Sequence, residues 1–374
     1  MFSFRNYFLL LFVSLFFLSA CQSSSPTEEQ VIDDEEVIDT PQEPTAFFYS
    51  GADISYYPII SQRNLTFRNR ANVPRDFLQI LLENDINTTR LRLWHTPATD
   101  HASFEEVETF AAQLKSLGFK VWLTVHYSDT WADPGNQQIP AAWQNASFEV
   151  LKDSVYNYTA KIMDRINPDL IQIGNEIDPG ILLPFGDFFN NQQQFLGLLE
   201  SGITAVRDHN SETKIMIHKA NPNDNAVGFF NTVRVLDYDI IGVSYYPQWH
   251  GRDLNVLRNN LSQLSANFPQ DIIIAETAYP FTLEWNDFTN NILGSNDQII
   301  FPQYPATLEG QKAYLTEIKS IIQSVGKGIG LGYWGAEWVA FDGTTSTNGS
   351  TWENQALFDF NLQATPAIEV FKEE

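Results

Sequence analysis

Cysteine is almost absent from this chain of 374 residues: there is one, Cys21. No internal disulfide can staple the fold, and a cysteine-rich metal cage is excluded with it. Basic residues are scarce too, 22 Lys and Arg against 46 Asp and Glu, for a formal net charge of -24. An acidic surface of that size repels nucleic-acid phosphates and anionic lipid, and it does not suit a polyanionic substrate, whereas a neutral polymer fits it. The six histidines include no close ligand pair, so a catalytic metal has no anchor. Neither a Gly-x-Ser-x-Gly elbow nor a glycine-rich phosphate fingerprint occurs, which removes serine-hydrolase chemistry and dinucleotide binding. Past the first twenty residues, no apolar run is long enough to cross a bilayer.

What the chain does have begins at its N-terminus. Arg5 precedes an apolar run from Tyr7 to Leu18 that ends in Ser19-Ala20-Cys21. A charged start, a hydrophobic stretch and small residues before a cleavage point predict a signal peptide over 1–20. Leu18-Ser19-Ala20-Cys21 resembles a bacterial lipobox, which makes Cys21 the expected lipidation site and places the protein outside the cytoplasm, anchored at an outer membrane or cell surface through lipid alone. Residues 21–46 hold Ser, Pro, Gln and the acidic group Glu28, Glu29, Asp33, Asp34, Glu35 and Glu36, the composition of a disordered tether.

From Phe47 to the end, short apolar segments alternate with amphipathic ones. Eight strands are predicted: Ala52–Ser55, Thr89–Trp94, Lys120–Val125, Leu170–Gly174, Lys214–His218, Ile240–Ser244, Ile272–Ala275 and Gly330–Trp334. Helical patterns lie between them at Phe104–Leu117, Ser147–Ile166, Asn191–Arg207 and Gly310–Ser324. Eight strand-helix alternations without a phosphate fingerprint predict one closed (β/α)₈ TIM barrel spanning 47–374. Such a domain is expected to be a monomer.

The polar residues collect at the C-terminal ends of the predicted strands, the face that carries active sites in such barrels. Asp53 ends the first strand. Arg90 and Arg92 alternate along the second, and so face one way. His126, Tyr127, Asp129, Trp131 and Asp133 follow the third, and Asn175 and Glu176 the fourth. His218 and Lys219 end the fifth, Tyr245, Tyr246, Trp249 and His250 follow the sixth, Glu276 ends the seventh, and Trp334, Glu337 and Trp338 finish the eighth. Glycoside hydrolysis needs two carboxyls flanking the scissile bond, and Glu176 and Glu276 each follow a strongly apolar strand, where a carboxylate is costly unless it faces a polar cleft. The plainer alternative for either is a salt bridge to Arg90 or Arg92. In the hydrolytic reading Arg92 supplies the charge that keeps the nucleophile ionised, Asn175 holds the sugar 2-hydroxyl, Tyr245 donates to the nucleophile and Trp334 forms a stacking floor. The 14% of aromatic residues, 9 Trp among them, suits a sugar cleft, although large cores bury tryptophan too. No cofactor is required by this chemistry. The Asp-, Ser-, Thr- and Asn-rich loop 342–354 offers oxygen ligands for a structural calcium but lacks the EF-hand spacing.

Several stretches together resemble glycoside hydrolase family 53, the endo-β-1,4-galactanases. They are Gly51-Ala-Asp-Ile-Ser55, Arg90-Leu-Arg-Leu-Trp94, His126-Tyr-Ser-Asp-Thr-Trp-Ala-Asp-Pro-Gly135, Gly174-Asn-Glu-Ile177, Gly242-Val-Ser-Tyr-Tyr-Pro247 with Trp249-His-Gly251, Glu276-Thr-Ala-Tyr-Pro280 and Asn354-Gln-Ala-Leu-Phe-Asp-Phe360. The resemblance covers nearly all of 47–371, and the run from His126 is its most specific part. It implies a retaining, endo-acting hydrolase of β-1,4-galactan, the neutral side chains of pectin, with Glu176 as acid/base and Glu276 as nucleophile. It further implies that Asp129, Trp131, Asp133 and Trp249 line sugar subsites. The chain departs from the family pattern at His95-Thr96, where an apolar residue and Asn are usual, and at Gly335-Ala336-Glu337-Trp338, where Glu-Pro commonly follows the tryptophan. The alternatives are another clan hydrolase acting on mannan or glucan, a non-catalytic glycan-binding lipoprotein, which would have lost one of the glutamates, and a purely structural surface protein.

Overall fold

The computed structural model describes residues 47–373. The predicted signal peptide, Cys21 and the tether lie outside the described residues. Eight parallel strands close into one barrel: β1 (Tyr49–Asp53), β2 (Thr88–Leu93), β3 (Lys120–Val125), β4 (Leu170–Ile173), β5 (Lys214–Lys219), β6 (Ile240–Ser244), β7 (Asp271–Thr277) and β8 (Gly328–Tyr333), with β8 pairing back onto β1. Helices α1 (Phe77–Leu82), α2 (Phe104–Ser116), α3 (Phe148–Arg165), α4 (Gln192–His209), α5 (Ala226–Val233), α6 (Leu254–Asn267) and α7 (Leu308–Ser324) follow the first seven strands. A 3₁₀ segment, Pro366–Phe371, packs against α7 after the last.

The helices start where the sequence offers a cap. Ser103, Ser147 and Thr307 each accept a backbone N–H of the first turn with their hydroxyls, opening α2, α3 and α7. Strand alternation then sorts the side chains. Odd positions such as Leu91, Leu123, Ile171 and Ile217 face the helices in the main core, while Tyr49, Trp122, Leu170, Met216, Ile240, Ile273 and Ala275 fill the barrel interior. Trp122 plugs that interior, and a side chain at Gly332 would stand 3.2 Å from its ring and 2.5 Å from the Ala275 carbonyl, so no larger residue fits there.

All eight predicted strands are present: Lys120–Val125 and Ile240–Ser244 have the predicted bounds, and the others differ by up to three residues at an end. Not named from the sequence were the short α1 and α5, the 14-residue α6, and a small hairpin in the loop after β4, Gly180–Ile181 against Gly186–Asp187. Among the described residues, no helix is long and apolar enough to cross a membrane.

Candidate active site

The barrel mouth opens into a cavity of about 550 Å³. Two local devices aim the glutamates into it. After β4, Gly174 takes φ +81° and Glu176 itself φ +46°; a side chain at Gly174 would meet Ile177 at 2.6 Å. The turn swings Asn175 and Glu176 off the strand and over the cavity, and a left-handed glutamate is the kind of local strain that functional sites hold. On β7, strict alternation would send Glu276 outward with Ile272 and Ile274. A bulge intervenes: β6 Val243 pairs with Ile274 and Ser244 with Glu276, leaving Ala275 unmatched. The extra residue turns Glu276 to the inside.

An oxygen of Glu176, an oxygen of Glu276 and a nitrogen of His218 lie within 4.8 Å of one another. Their surroundings differ. Glu276 Oε1 is 2.7 Å from the Arg90 guanidinium, and its Oε2 accepts the Tyr246 hydroxyl at 3.0 Å. Glu176 Oε1 accepts the Ser244 hydroxyl at 2.6 Å. Burial pushes the Glu176 carboxyl well above its usual range, and the negative charge of Glu276 adds to the push. Burial raises Glu276 as well, but Arg90 opposes it directly. One proton shared between two close carboxyls therefore resides on Glu176, with Glu276 ionised.

Arg90 organises the centre. Fully buried, it reaches Asp53 at 2.7 Å, Glu276 at 2.7 Å and Asn175 Oδ1 at 2.8 Å. Asp53 lines the cavity, but Ser55 and Arg90 occupy its oxygens, so it holds Arg90 rather than offering itself to a sugar. Two expectations are corrected here. The cation beside Glu276 is Arg90 and not Arg92, whose guanidinium lies 3.9 Å from the Trp131 ring centre and 4.7 Å from that of Trp94, with His101 at 2.8 Å. Burial lowers the Arg92 pKa to about 10, so it stays charged at neutral pH. The hydroxyl on Glu276 belongs to Tyr246 and not Tyr245, which donates instead to the Gly251 carbonyl. Adjacent residues of a strand end face opposite ways, and the choice between neighbouring tyrosines needed the register.

Of the other expected contacts, His126, Trp131, Asp133, Asn175, Trp249 and Trp334 line the cavity. Asn175 spends Oδ1 on Arg90 and Gln172 and donates Nδ2 to the Ala132 carbonyl. Asp129 is corrected: it does not line the cavity but accepts the amides of Thr96 and Ala141, tying the loops after β2 and β3 together. Trp338, expected at the end of the eighth strand, and Trp352, which was not foreseen, join the wall, packed around Trp334 at 5.0 and 4.7 Å between ring centres. Glu337 is fully buried, accepts the Tyr56 amide at 2.7 Å, and is pushed well up by burial and by Asp53.

Metal ligation does not suit the central trio, because both His218 nitrogens have partners, Gln172 and Ser244. Nor does the loop 342–354 supply a calcium cage by itself: Asp342 pairs with Arg63. The buried oxygens without hydrogen-bond partners in that region include Asp287 Oδ2 and Asn291 Oδ1 from the loop after β7, together with Glu353 Oε2, Asn354 Oδ1 and Gln355 Oε1. Oxygens of this kind suit a hard cation, but among the described residues the cluster of acidic and histidine atoms close enough to share an ion is the central trio.

Comparison with known proteins agrees with this geometry. A family model described as glycosyl hydrolase family 53 matches residues 49–371. The arabinogalactan endo-β-1,4-galactanase of Cellvibrio japonicus (strain Ueda107) is 34% identical over 345 residues, which cover 87% of this chain and 90% of that protein. Among solved structures, the Ignisphaera aggregans GH53 catalytic domain aligns with a TM-score of 0.82 at 37% identity, over 89% of this chain and 97% of that one. A fungal β-1,4-galactanase aligns with a TM-score of 0.76 at 29% identity, over 88% and 100% of the two chains.

Proposed function

Since the chain belongs to glycosyl hydrolase family 53 and is a glycoside hydrolase, we propose that it is an endo-β-1,4-galactanase that cleaves β-1,4-galactan with retention of configuration. The observation that carries the reading is the pair of unlike carboxyls at the barrel mouth. Their oxygens are within 4.8 Å, one carboxyl held by Arg90 and Tyr246, the other buried and charge-repelled. Retaining glycosidases place their carboxyls about 5 Å apart, which leaves no room for a water between nucleophile and sugar.

In this mechanism Glu276, ionised beside Arg90, attacks the anomeric carbon. Glu176 gives its proton to the departing glycosidic oxygen. The C–O bond to the leaving chain breaks as the bond from Glu276 to the sugar forms. Glu276 is now an ester and carries no charge, so the repulsion that held Glu176 protonated is gone and the pKa of Glu176 falls. It then takes a proton from water, whose oxygen attacks the anomeric carbon from the side the leaving chain vacated, opposite Glu276, and releases Glu276 as a carboxylate. The tryptophans at 131, 249, 334, 338 and 352 offer apolar faces to pyranose rings, and an acidic protein meets no repulsion from a neutral galactan.

The reading extends to the N-terminus: Leu18-Ser19-Ala20-Cys21 supports lipidation at Cys21 after removal of 1–20, with the acidic segment 22–46 as tether. This makes the protein a membrane-anchored extracytoplasmic enzyme.

The test is product analysis on purified β-1,4-galactan, with mannan and β-glucan in parallel. Short galacto-oligosaccharides from galactan alone are expected. Cleavage of mannan or β-glucan instead would overturn the substrate, and tight binding without cleavage of any polymer would overturn the hydrolytic reading.

A further inference from the structure

We propose that His218 is a positioning residue for the general acid: acting through the Ser244 hydroxyl, it fixes Glu176 so that the transferable proton sits on Oε2. The inference rests on the acid/base reading of Glu176.

The argument is one of donors and acceptors. Gln172 Nε2 lies 3.1 Å from the Gly174 carbonyl, and its Oε1 faces the Arg90 guanidinium at 3.4 Å. Only one amide orientation satisfies both, because the flipped amide would set Oε1 against a carbonyl oxygen and Nε2 against a guanidinium. Gln172 Nε2 therefore carries the hydrogens and shares its two among the Gly174 carbonyl, Asn175 Oδ1 at 2.9 Å and His218 Nδ1 at 2.8 Å; an amide nitrogen only donates, so Nδ1 accepts there, and its approach to Asn175 Oδ1 is the longer one at 3.3 Å. The ring is neutral, because its burial is complete and Arg90 lies nearby; both hold His218 well below the ordinary histidine range. Its one proton is consequently on Nε2, 2.9 Å from Ser244 Oγ. Ser244 accepts there, and its own hydrogen is left for Glu176 Oε1 at 2.6 Å. Oε1 is thus an acceptor whether Glu176 is charged or neutral, and the exchangeable proton is confined to the other oxygen.

The chain also crosses three strands. His218 stands on β5, Ser244 on β6 and Glu176 just past β4, so the rotamer of a glutamate in a strained left-handed turn is referred to the barrel wall. Besides Ser244, the groups facing Glu176 are Glu276 on β7, Arg90 on β2, Tyr246 past β6 and Asp178 of its own loop. Those facing His218 are Glu176 and Glu276, each with an oxygen within 4.8 Å of a ring nitrogen, and Arg90, Lys219, His126 past β3 and His250 past β6. None of them donates to Glu176 Oε1, so Ser244 has no understudy.

The sign of the effect follows. A hydrogen bond to a carboxylate favours its charged form and lowers its pKa. Removing it raises the pKa of Glu176, and since the first step needs Glu176 protonated, the alkaline limb of kcat/KM moves to higher pH. Ser244→Ala and His218→Leu should each move that limb up by roughly half a unit to one unit. On galactan each should lower kcat about tenfold, a fraction of what a general acid supplies, with KM within twofold. On a dinitrophenyl β-1,4-galactobioside, whose leaving group needs no proton, the burst of dinitrophenolate should be unchanged. His218→Gln, which returns an N–H donor near the position of Nε2, should restore the limb. Ser244→Ala deletes a single oxygen and keeps the test alive should His218→Leu not fold. An alkaline limb that stays in place in folded Ser244→Ala overturns the proposal. Glu176→Ala separates the two claims: if it does not lose galactan cleavage while keeping the dinitrophenolate burst, the acid/base assignment itself is wrong. If it does and Ser244→Ala behaves as the parent enzyme, only the positioning role falls.

Discussion

Replacing Arg90 by methionine keeps most of the side-chain volume and removes one buried charge. Asp53 and Glu276 then face each other with no cation between them, each having been 2.7 Å from the guanidinium. With about 4 Å between charge centres and an effective dielectric of about 20, each attraction is worth about 4 kcal/mol before desolvation. Part of that returns because the guanidinium no longer has to be dehydrated, so the net cost of stranding the partners is about 3–5 kcal/mol of stability. For Glu276 alone, losing about 4 kcal/mol of attraction corresponds to a pKa rise of at most about 3 units at 1.36 kcal/mol per unit. The nucleophile must be ionised, so the acid limb of kcat/KM should move up by about 2 units once the site relaxes. The assay is kcat/KM on β-1,4-galactan across pH by reducing-end release, beside a thermal melt. Arg92→Met, which removes the other buried guanidinium of the same strand, should leave the acid limb within about half a unit, because Arg92 contacts Trp94, Trp131 and His101 rather than Glu276. A folded Arg90→Met enzyme with its acid limb in place would refute the claim that Arg90 holds Glu276 ionised.

Three further outcomes are expected. Glu276→Gln should abolish turnover while circular dichroism and melting remain those of a folded barrel; near-parental activity would remove Glu276 as nucleophile. Tyr246→Phe should lower kcat/KM roughly tenfold or more, the worth of a hydrogen bond to a charged group, whereas Tyr245→Phe should lower Tm with kcat nearly unchanged, and equal kinetic effects would contradict the register described above. Trp249, 55% exposed at the rim, should act on binding: Trp249→Ala is expected to raise KM for galactan up to about tenfold, the scale of one aromatic stacking contact, with kcat preserved, as steady-state kinetics on the polymer would reveal.

Much of the site was legible along the chain because a TIM barrel writes its active site at fixed places. A polar residue directly after a run such as Ile272-Ile273-Ile274 stands out, and eight such places in one sequence converge by topology alone. What could not be read was which partner each side chain meets. Arg90 and Arg92 both point inward from β2, yet one turn of the pleat separates the residue that reaches Glu276 from the residue that stacks on Trp131. Tyr245 and Tyr246 are neighbours with opposite fates. Asp129 sits in the most specific motif of the chain and is spent on two loop amides. His218 was visible as a polar strand end, but nothing in its neighbours announces Gln172 or Ser244, which are 46 and 26 residues away.

The sequence by itself determined the alternation of strand and helix, hence the barrel, and the strand ends at which chemistry had to lie, because periodicity and burial are properties of local segments. Only the tertiary structure decided which oxygen of which glutamate meets a cation, a phenol or a serine. That choice depends on a bulge at Ala275, a left-handed turn at Glu176 and the register of strands far apart in the chain. Pairing geometry of this kind is set when the barrel closes and leaves no mark on any one segment.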